Sequence, residues 1–229
     1  MTAPISLLKF GLIDYRAAWE WQTRTAACVR QGGREALAVL EHPPVYTLGR
    51  RPRLDHLIIG PDEVNRRGAD LIESDRGGDI TFHGPGQLVG YAILDLRRRH
   101  LGPSQYVNAL EETLISALAN FGLASHRVSD RRGVWIDGAK VAAVGVRVQG
   151  GVTTHGFALN VSTDLVWFDA IVPCGISDAK VTSMEAILGC RPAMRAVKTA
   201  VIDAFAACFD VDFQDHDSVE SELEKTIGR

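Results

Sequence analysis

The chain has 229 residues, of which 46% are hydrophobic and 23% charged: enough apolar side chain for one large folded domain and too much for disorder. With 25 Lys and Arg against 28 Asp and Glu the formal charge is -3, which argues against a general affinity for nucleic acid or anionic membrane. The longest stretch free of Asp, Glu, Lys and Arg, 148–163, has 16 residues rich in Gly, Thr, Asn and His, so no membrane span is expected, and the start Met1-Thr2-Ala3-Pro4-Ile5-Ser6 lacks the basic and apolar runs of a secretory signal, so the cytoplasm is the expected location.

In chain order, a helix is expected over 14–30, then a buried strand over 36–40 stopped by Pro43-Pro44. Short strands follow at 45–48 and 57–59, and further strands at 69–73, 79–82 and 87–96, separated by Gly-rich turns. Pro103 opens a helix with Val107, Leu110, Leu114, Leu118 and Phe121 on one stripe, and Gly122 is placed to end it. Asp137-Gly138 between the apolar runs 134–136 and 139–148 signals a hairpin, and Gly150-Gly151 leads into a third strand over 152–161, a three-stranded antiparallel meander. Helical patterns return at 183–188 and 193–209, followed by a polar tail. These elements imply an α+β fold in one domain, a central mixed or antiparallel sheet flanked by helices.

The cysteines Cys28, Cys174, Cys190 and Cys208 are far apart, with neither metal nor disulfide spacing. Cys28 and Cys208 lie on helical patterns and read as core packing, and Cys190 follows a Gly at the end of a short one. Cys174 stands between Pro173 and Gly175, a loop-like setting that can expose a thiol. At a free pKa near 8.5 only about 3% of a thiol is ionised at neutral pH, so a reactive cysteine needs a cation nearby. Of 20 Arg and 5 Lys, Lys140 alone sits inside a Gly/Ala/Val strand. It is either buried near a partner or close enough to the Gly138 turn to reach water. The segment Arg76-Gly77-Gly78-Asp79-Ile80-Thr81-Phe82-His83-Gly84-Pro85-Gly86-Gln87 is either a simple turn or a place where backbone approaches a ligand closely; it is neither a P-loop nor a dinucleotide fingerprint. His83 and His155, each followed by Gly, are either packed turn residues or general bases. The run Arg97-Arg98-Arg99-His100 reads as solvent-facing or as a contact for an acidic partner.

Five ordered motifs then resemble those of the lipoyl(octanoyl) transferases: Glu41-His42-Pro43-Pro44-Val45-Tyr46-Thr47-Leu48-Gly49-Arg50, the Arg76 to Gln87 segment, Gly138-Ala139-Lys140-Val141-Ala142-Ala143-Val144-Gly145-Val146, His155-Gly156-Phe157-Ala158-Leu159-Asn160-Val161, and Ile171-Val172-Pro173-Cys174-Gly175-Ile176. The resemblance implies the fold of the biotin and lipoate protein ligase catalytic domains, spanning 1–229 with 213–229 as a polar tail. It implies transfer of an octanoyl group from octanoyl-acyl-carrier protein to a lysine of lipoyl domains, those of 2-oxoacid dehydrogenase complexes and the glycine-cleavage H protein, with no cofactor and no metal. Cys174 would be the acyl-accepting nucleophile and Lys140 the residue that lowers its pKa. Substrate would be bound by Arg76, Gly77, Gly78, Asp79, Ile80, Thr81, Phe82 and His83, by Ala143, Val144 and Gly145, and by Gly156, Phe157 and Ala158. A drop of about 1.5 from the ordinary thiol pKa would leave half of Cys174 as thiolate at neutral pH.

Three other readings use the same residues. An ATP-dependent lipoate ligase shares the implied fold but has no use for a nucleophilic cysteine, and its Gly-rich segment reads Arg-x-Ser-Gly-Gly-Gly where this one reads Arg-Gly-Gly. A non-catalytic protein binding lipoyl domains or acyl chains would not need Lys140 and Cys174. A thioesterase or amidase pairing Cys174 with His155 would release free octanoate.

Overall fold

In a computed structural model, which describes residues 4–51, 53–172 and 180–215, the apolar strands of the sequence become the middle of a mixed sheet covered on both faces. The elements begin β1 (Ile5–Leu12), α1 (Tyr15–Arg30), β2 (Ala36–Glu41), β3 (Val45–Leu48), α2 (Pro61–Arg66), β4 (Asp70–Glu73), β5 (Ile80–His83) and β6 (Gln87–Ile93). They continue α3 (Pro103–Ala119), β7 (His126–Val128), β8 (Arg131–Ile136), β9 (Ala139–Gln149) and β10 (Val152–Asn160), then β11 (Lys180–Val181), α4 (Met184–Leu188), α5 (Met194–Phe209) and β12 (Phe213–Asp215). The large sheet runs β12-β1-β2-β6-β10-β9-β8-β7, and a small one runs β4-β3-β5. β1 is parallel to β2 and to β12; from β2 across to β7 every neighbour is antiparallel.

Alternation along the central strands explains why they are apolar throughout. Leu37 and Val39 of β2 and Leu88 of β6 join Leu110, Leu114, Val201 and Phe205 from α3 and α5, whereas Ala36, Ala38, Leu40, Val89 and Tyr91 join Ala18 of α1. A strand buried on both faces has no polar positions to spare. Asp14 caps α1 by accepting from the Ala17 N–H at 2.9 Å. Asp137 and Gly138, both at positive φ, make the tight turn from β8 to β9, and Gly150 and Gly151 the turn to β10, so the expected meander is present. β10 last pairs opposite Ala142, and β11 takes its place, pairing Lys180 with Ala139 and Val181 with Lys140. No helix among the described residues is long and apolar enough to cross a membrane.

Several expectations are corrected. The strand expected at 57–59 is a 3₁₀ turn over Leu54–His56 followed by a single bridge from Leu57 to Ile171, because one bridge partner cannot sustain a ladder and Gly60-Pro61 opens α2 directly after it. β1, α2, β7, β11 and β12 were not expected, and β12 places the first residues of the polar tail, Phe213–Asp215, in the sheet beside β1. Cys28 is exposed rather than packed in the core, since the buried stripe of α1 passes through Ala18, Gln22, Ala26 and Val29. Cys208 is half-buried against the large core, and Cys190 is exposed. Of the Arg97–His100 run, Arg97, Arg98 and His100 face solvent as expected, Arg97 and Arg98 pairing with Asp95, and Arg99 alone is turned inward, its side chain 4% exposed and paired with Glu35.

Candidate active site

Backbone contact between two glycine-bearing stretches builds one wall of a cavity. Gly77 donates its N–H to the Val146 carbonyl at 3.0 Å, and a Cβ on Gly77 would stand 2.9 Å from that oxygen. Gly49 packs so closely on Gly78 that a Cβ there would lie 2.2 Å from the Gly78 oxygen. Only residues without side chains allow this approach, which is why Arg76 to Gly78 lies flat against β9 at Gly145 and Val146. The Arg76 guanidinium clamps the turn from the other side, donating to Thr47 Oγ1 at 3.0 Å, the Thr47 carbonyl at 2.5 Å and the Gly77 carbonyl at 3.1 Å.

The cavity holds about 540 Å³, its open mouth included, and is lined by Arg76, Gly77, Gly78, Asp79, Ile80, Thr81, His83, Ala143, Val144, Gly145, Gly156, Phe157 and Ala158. Three of the five motifs thus meet on one surface. Phe82 does not: its ring is held in the neighbouring aromatic cluster, stacked on Trp167 at 5.0 Å and beside Tyr46. Tyr15, Val89, Tyr91 and His155 complete the lining. Tyr15 and Tyr91 escaped the sequence reading because an aromatic residue on a buried helix or strand looks like core.

The inner end of the cavity is a layer of hydrogen-bonded rings. His42 donates from Nδ1 to the Ile13 carbonyl at 2.6 Å and accepts at Nε2 from the Tyr91 hydroxyl at 2.7 Å. Tyr15 bonds Ser74 Oγ at 2.8 Å and stacks on His83 at 6.0 Å. His155 sits at φ 60°, a strained position for a non-glycine residue, held by its N–H on Gln22 Oε1 at 2.7 Å and by Nε2 on Asp75 at 2.7 Å. Asp75 also pairs with Arg147. Burial keeps the His155 imidazole below its ordinary value despite Asp75, so the ring is neutral, donates from Nε2–H, and leaves a buried Nδ1 lone pair. The His155 hydrogen bond in turn holds the Asp75 carboxyl low.

Burial pushes His42 down to about 4, partly offset by Ile13, and pushes His83 down to about 3, helped by the nearby His42 and Arg76. A histidine held neutral in the fold takes up its proton only on unfolding. Stability from these two is therefore complete above about 6.5 and falls as the pH drops toward the folded values, at about 1.4 kcal/mol per pH unit for each. Between pH 6.5 and 5 the pair costs roughly 4 kcal/mol, or a fall of about 8–16 °C in melting temperature for a chain of this size. Asp75 adds its loss only below that window. Thermal melts from pH 7.5 to 5 check this; a flat profile would contradict burial of two neutral imidazoles.

Lys140 lies next to this cavity, 6% exposed, with Nζ 5.0 Å from the Trp135 ring centre. Its stem passes over Gly133, where a Cβ would stand 3.4 Å from Cδ and Cε and 2.5 Å from the Ala142 oxygen. Of the two readings of this lysine, burial is the one observed. Two spaces meet at it: an open groove shared with Arg51, Asp79, Arg131 and Arg132, and a small pocket shared with Thr81, Gln87, Ala143, Ala158 and Asn160. The small pocket adjoins the larger cavity, for Thr81, Ala143 and Ala158 line both. Cys174 lies outside the described residues. The chain leaves at Val172, whose N–H bonds the His56 carbonyl at 2.8 Å, and returns at β11 beside Lys140, with the Thr182 N–H on the Lys140 carbonyl at 2.9 Å. His56 in turn bonds Asp79, which lines both the cavity and the groove.

Residues 14–206 match the protein family described as the lipoyl protein ligase A/B catalytic domain. The chain is 45% identical over 212 residues to an octanoyltransferase of Chloroflexus aggregans, covering 90% of this chain and 96% of that protein. It is 46% identical over 218 residues to an octanoyltransferase of Mycobacterium marinum, covering 91% and 90%. Among solved structures it resembles lipoate-protein ligase A bound with ATP, with a TM-score of 0.78 at 16% identity over 98% of this chain and 94% of that one. A biotin protein ligase from Aquifex aeolicus gives 0.53 at 14% identity, covering 90% and 70%. The two structural likenesses bear on the fold alone, and they agree with its expected class.

Proposed function

The chain belongs to the lipoyl protein ligase A/B catalytic-domain family, and on that premise we propose that it is an octanoyltransferase, carrying an octanoyl group from octanoyl-acyl-carrier protein to a lysine of a lipoyl domain through a thioester on Cys174. The observation that carries the reading is the position of Lys140, a buried lysine where an open groove meets a cavity lined largely by apolar side chains and backbone. Support for Cys174 comes from its motif, Ile171-Val172-Pro173-Cys174-Gly175-Ile176, and from the match of the chain to octanoyltransferases.

In the proposed first half-reaction the Cys174 thiolate, stabilised by the Lys140 ammonium, attacks the thioester carbonyl. A carbon–sulfur bond forms to Cys174, the donor's carbon–sulfur bond breaks, and the departing thiolate takes the Lys140 proton. One thioester replaces another, so the step is nearly isoenergetic. In the second half the acceptor lysine, having released its own proton to water, attacks as a neutral amine. Lys140, now neutral, accepts the proton lost as the amide forms, and Cys174 leaves as thiolate. An amide from a thioester is downhill, so the reaction needs no ATP. The donor's arm would enter by the groove while the chain lies in the cavity with Val144, Phe157 and Ala158 beside it. We place the reaction in the cytoplasm, where cysteine stays reduced.

The test is product formation. Purified protein, octanoyl-carrier protein and a lipoyl domain should yield the octanoylated lysine with ATP omitted. Amide formed only when ATP and free octanoate are supplied would overturn the reading in favour of a ligase, and free octanoate with an unmodified lipoyl domain would favour a thioesterase.

A further inference from the structure

Each tetrahedral intermediate of an acyl transfer carries a negative oxygen that must be met by a fixed donor. Two side chains of the small pocket at Lys140 hold a hydrogen with no acceptor among the described residues, the half-buried Thr81 hydroxyl, free to rotate, and one buried amide whose orientation is fixed. Gln87 and Asn160 line that pocket together with Lys140, and both are buried. Gln87 Nε2 donates to the Phe82 carbonyl at 3.2 Å and to Asn160 Oδ1 at 2.9 Å, which uses both of its hydrogens. Its Oε1 accepts from His83 Nδ1 at 2.8 Å. Asn160 Nδ2 donates to the Thr182 carbonyl at 3.0 Å.

The backbone carbonyls of Phe82 and Thr182 fix the orientation of both amides, because a carbonyl oxygen can face only the NH₂ end. The Asn160 amide therefore holds two hydrogens and one recorded acceptor. Its second N–H has no acceptor among the described residues, in a pocket that Lys140 also lines and that adjoins the acyl cavity at Thr81, Ala143 and Ala158. Thr182 is itself bonded to the Lys140 carbonyl at 2.9 Å, so the amide and the lysine are held by one framework.

We propose that Asn160 is a catalytic residue whose free Nδ2–H donates to the oxyanion formed at the thioester carbonyl, in both half-reactions. The inference rests on the transferase reading above. The amide is locked before substrate arrives, so the donor needs no reorganisation when charge develops, the condition under which such a bond acts on the transition state rather than on the bound substrate.

Asn160→Asp separates this role from a structural one. An aspartic acid in its protonated form keeps both framework bonds, accepting from Gln87 Nε2 and donating its one hydrogen to the Thr182 carbonyl, and loses only the spare donor, so the comparison is made at a pH where the variant's alkylation profile matches that of the unaltered protein. Asn160→Ala is the companion variant, which removes the framework bonds as well. Two rates are measured on the peptide that carries Cys174: octanoylation by octanoyl-carrier protein, and alkylation by iodoacetamide, a displacement at saturated carbon that forms no oxyanion. For Asn160→Asp, octanoylation should fall about 10²- to 10³-fold while alkylation and its pH profile stay within about twofold of the unaltered protein. Octanoylation within about threefold of the unaltered protein, or a parallel fall in both rates, would overturn the assignment. Unaltered protein that alkylates but takes up no octanoyl group would overturn the transferase reading, and the assignment with it.

Discussion

Lys140→Met lowers the rate of octanoyl transfer at neutral pH by about 10²-fold or more. Two losses combine. Without the neighbouring ammonium, Cys174 returns to the few per cent thiolate of an ordinary cysteine, roughly a fifteenfold loss, and the second half-reaction loses its base, worth about 10²- to 10⁴-fold. The first loss recovers as the pH is raised through the ordinary thiol range and the second does not, so acyl-enzyme formation should recover at pH 9 while turnover keeps its deficit. Methionine keeps the stem that passes over Gly133 and beside Trp135 and removes a charge from a buried site. Transfer within tenfold of the parent would remove Lys140 from the mechanism.

Gly156→Ala is expected to be the most damaging single methyl group in the sheet. Gly156 lies in β10 opposite Tyr91 of β6, and an added Cβ would stand 2.1 Å from the Gly90 oxygen and 3.5 Å from the Tyr91 Cα. Both are backbone atoms in the middle of the sheet, so the strands must part, and they part where the cavity is lined. Overpacking of this kind costs about 3 kcal/mol or more, a fall of about 6–12 °C in melting temperature. Gly11→Ala is the control, since a Cβ there meets nothing within 4 Å. Equal melting temperatures for the two variants would contradict the close approach of β6 and β10.

The glycine-rich segment was half legible, for a steric reason: clustered glycines at 76–87 left open a simple turn or a close approach of backbone to a ligand, whereas the approaches found are between backbones, Gly77 to Val146 and Gly156 to Gly90, and the second was not read. The apolar run of β2 and the turn at Asp137-Gly138 were readable for equally local reasons. What escaped depends on partners distant in sequence. β11 and β12 are two and three residues long and exist because β9 and β1 offer them an edge. Arg99 is buried because Glu35, 64 positions away, meets it. β1 hides its period of two behind the adjacent pair Leu7-Leu8 and a Lys, and Cys28 looked buried because helical spacing alone does not say which face of α1 meets the sheet. Asn160 reads as one polar residue at the end of a strand until the fold brings Gln87 and Thr182 to its two ends.

The most direct measurement is the intact mass of the protein after mixing with octanoyl-carrier protein and no acceptor. One octanoyl group should be found, on the peptide that carries Cys174, discharged when a lipoyl domain is added and absent from Cys174→Ser. Protein that stays unmodified while the lipoyl domain becomes octanoylated, or a Cys174→Ser variant that is still octanoylated and still transfers, would contradict a mechanism built on that sulfur.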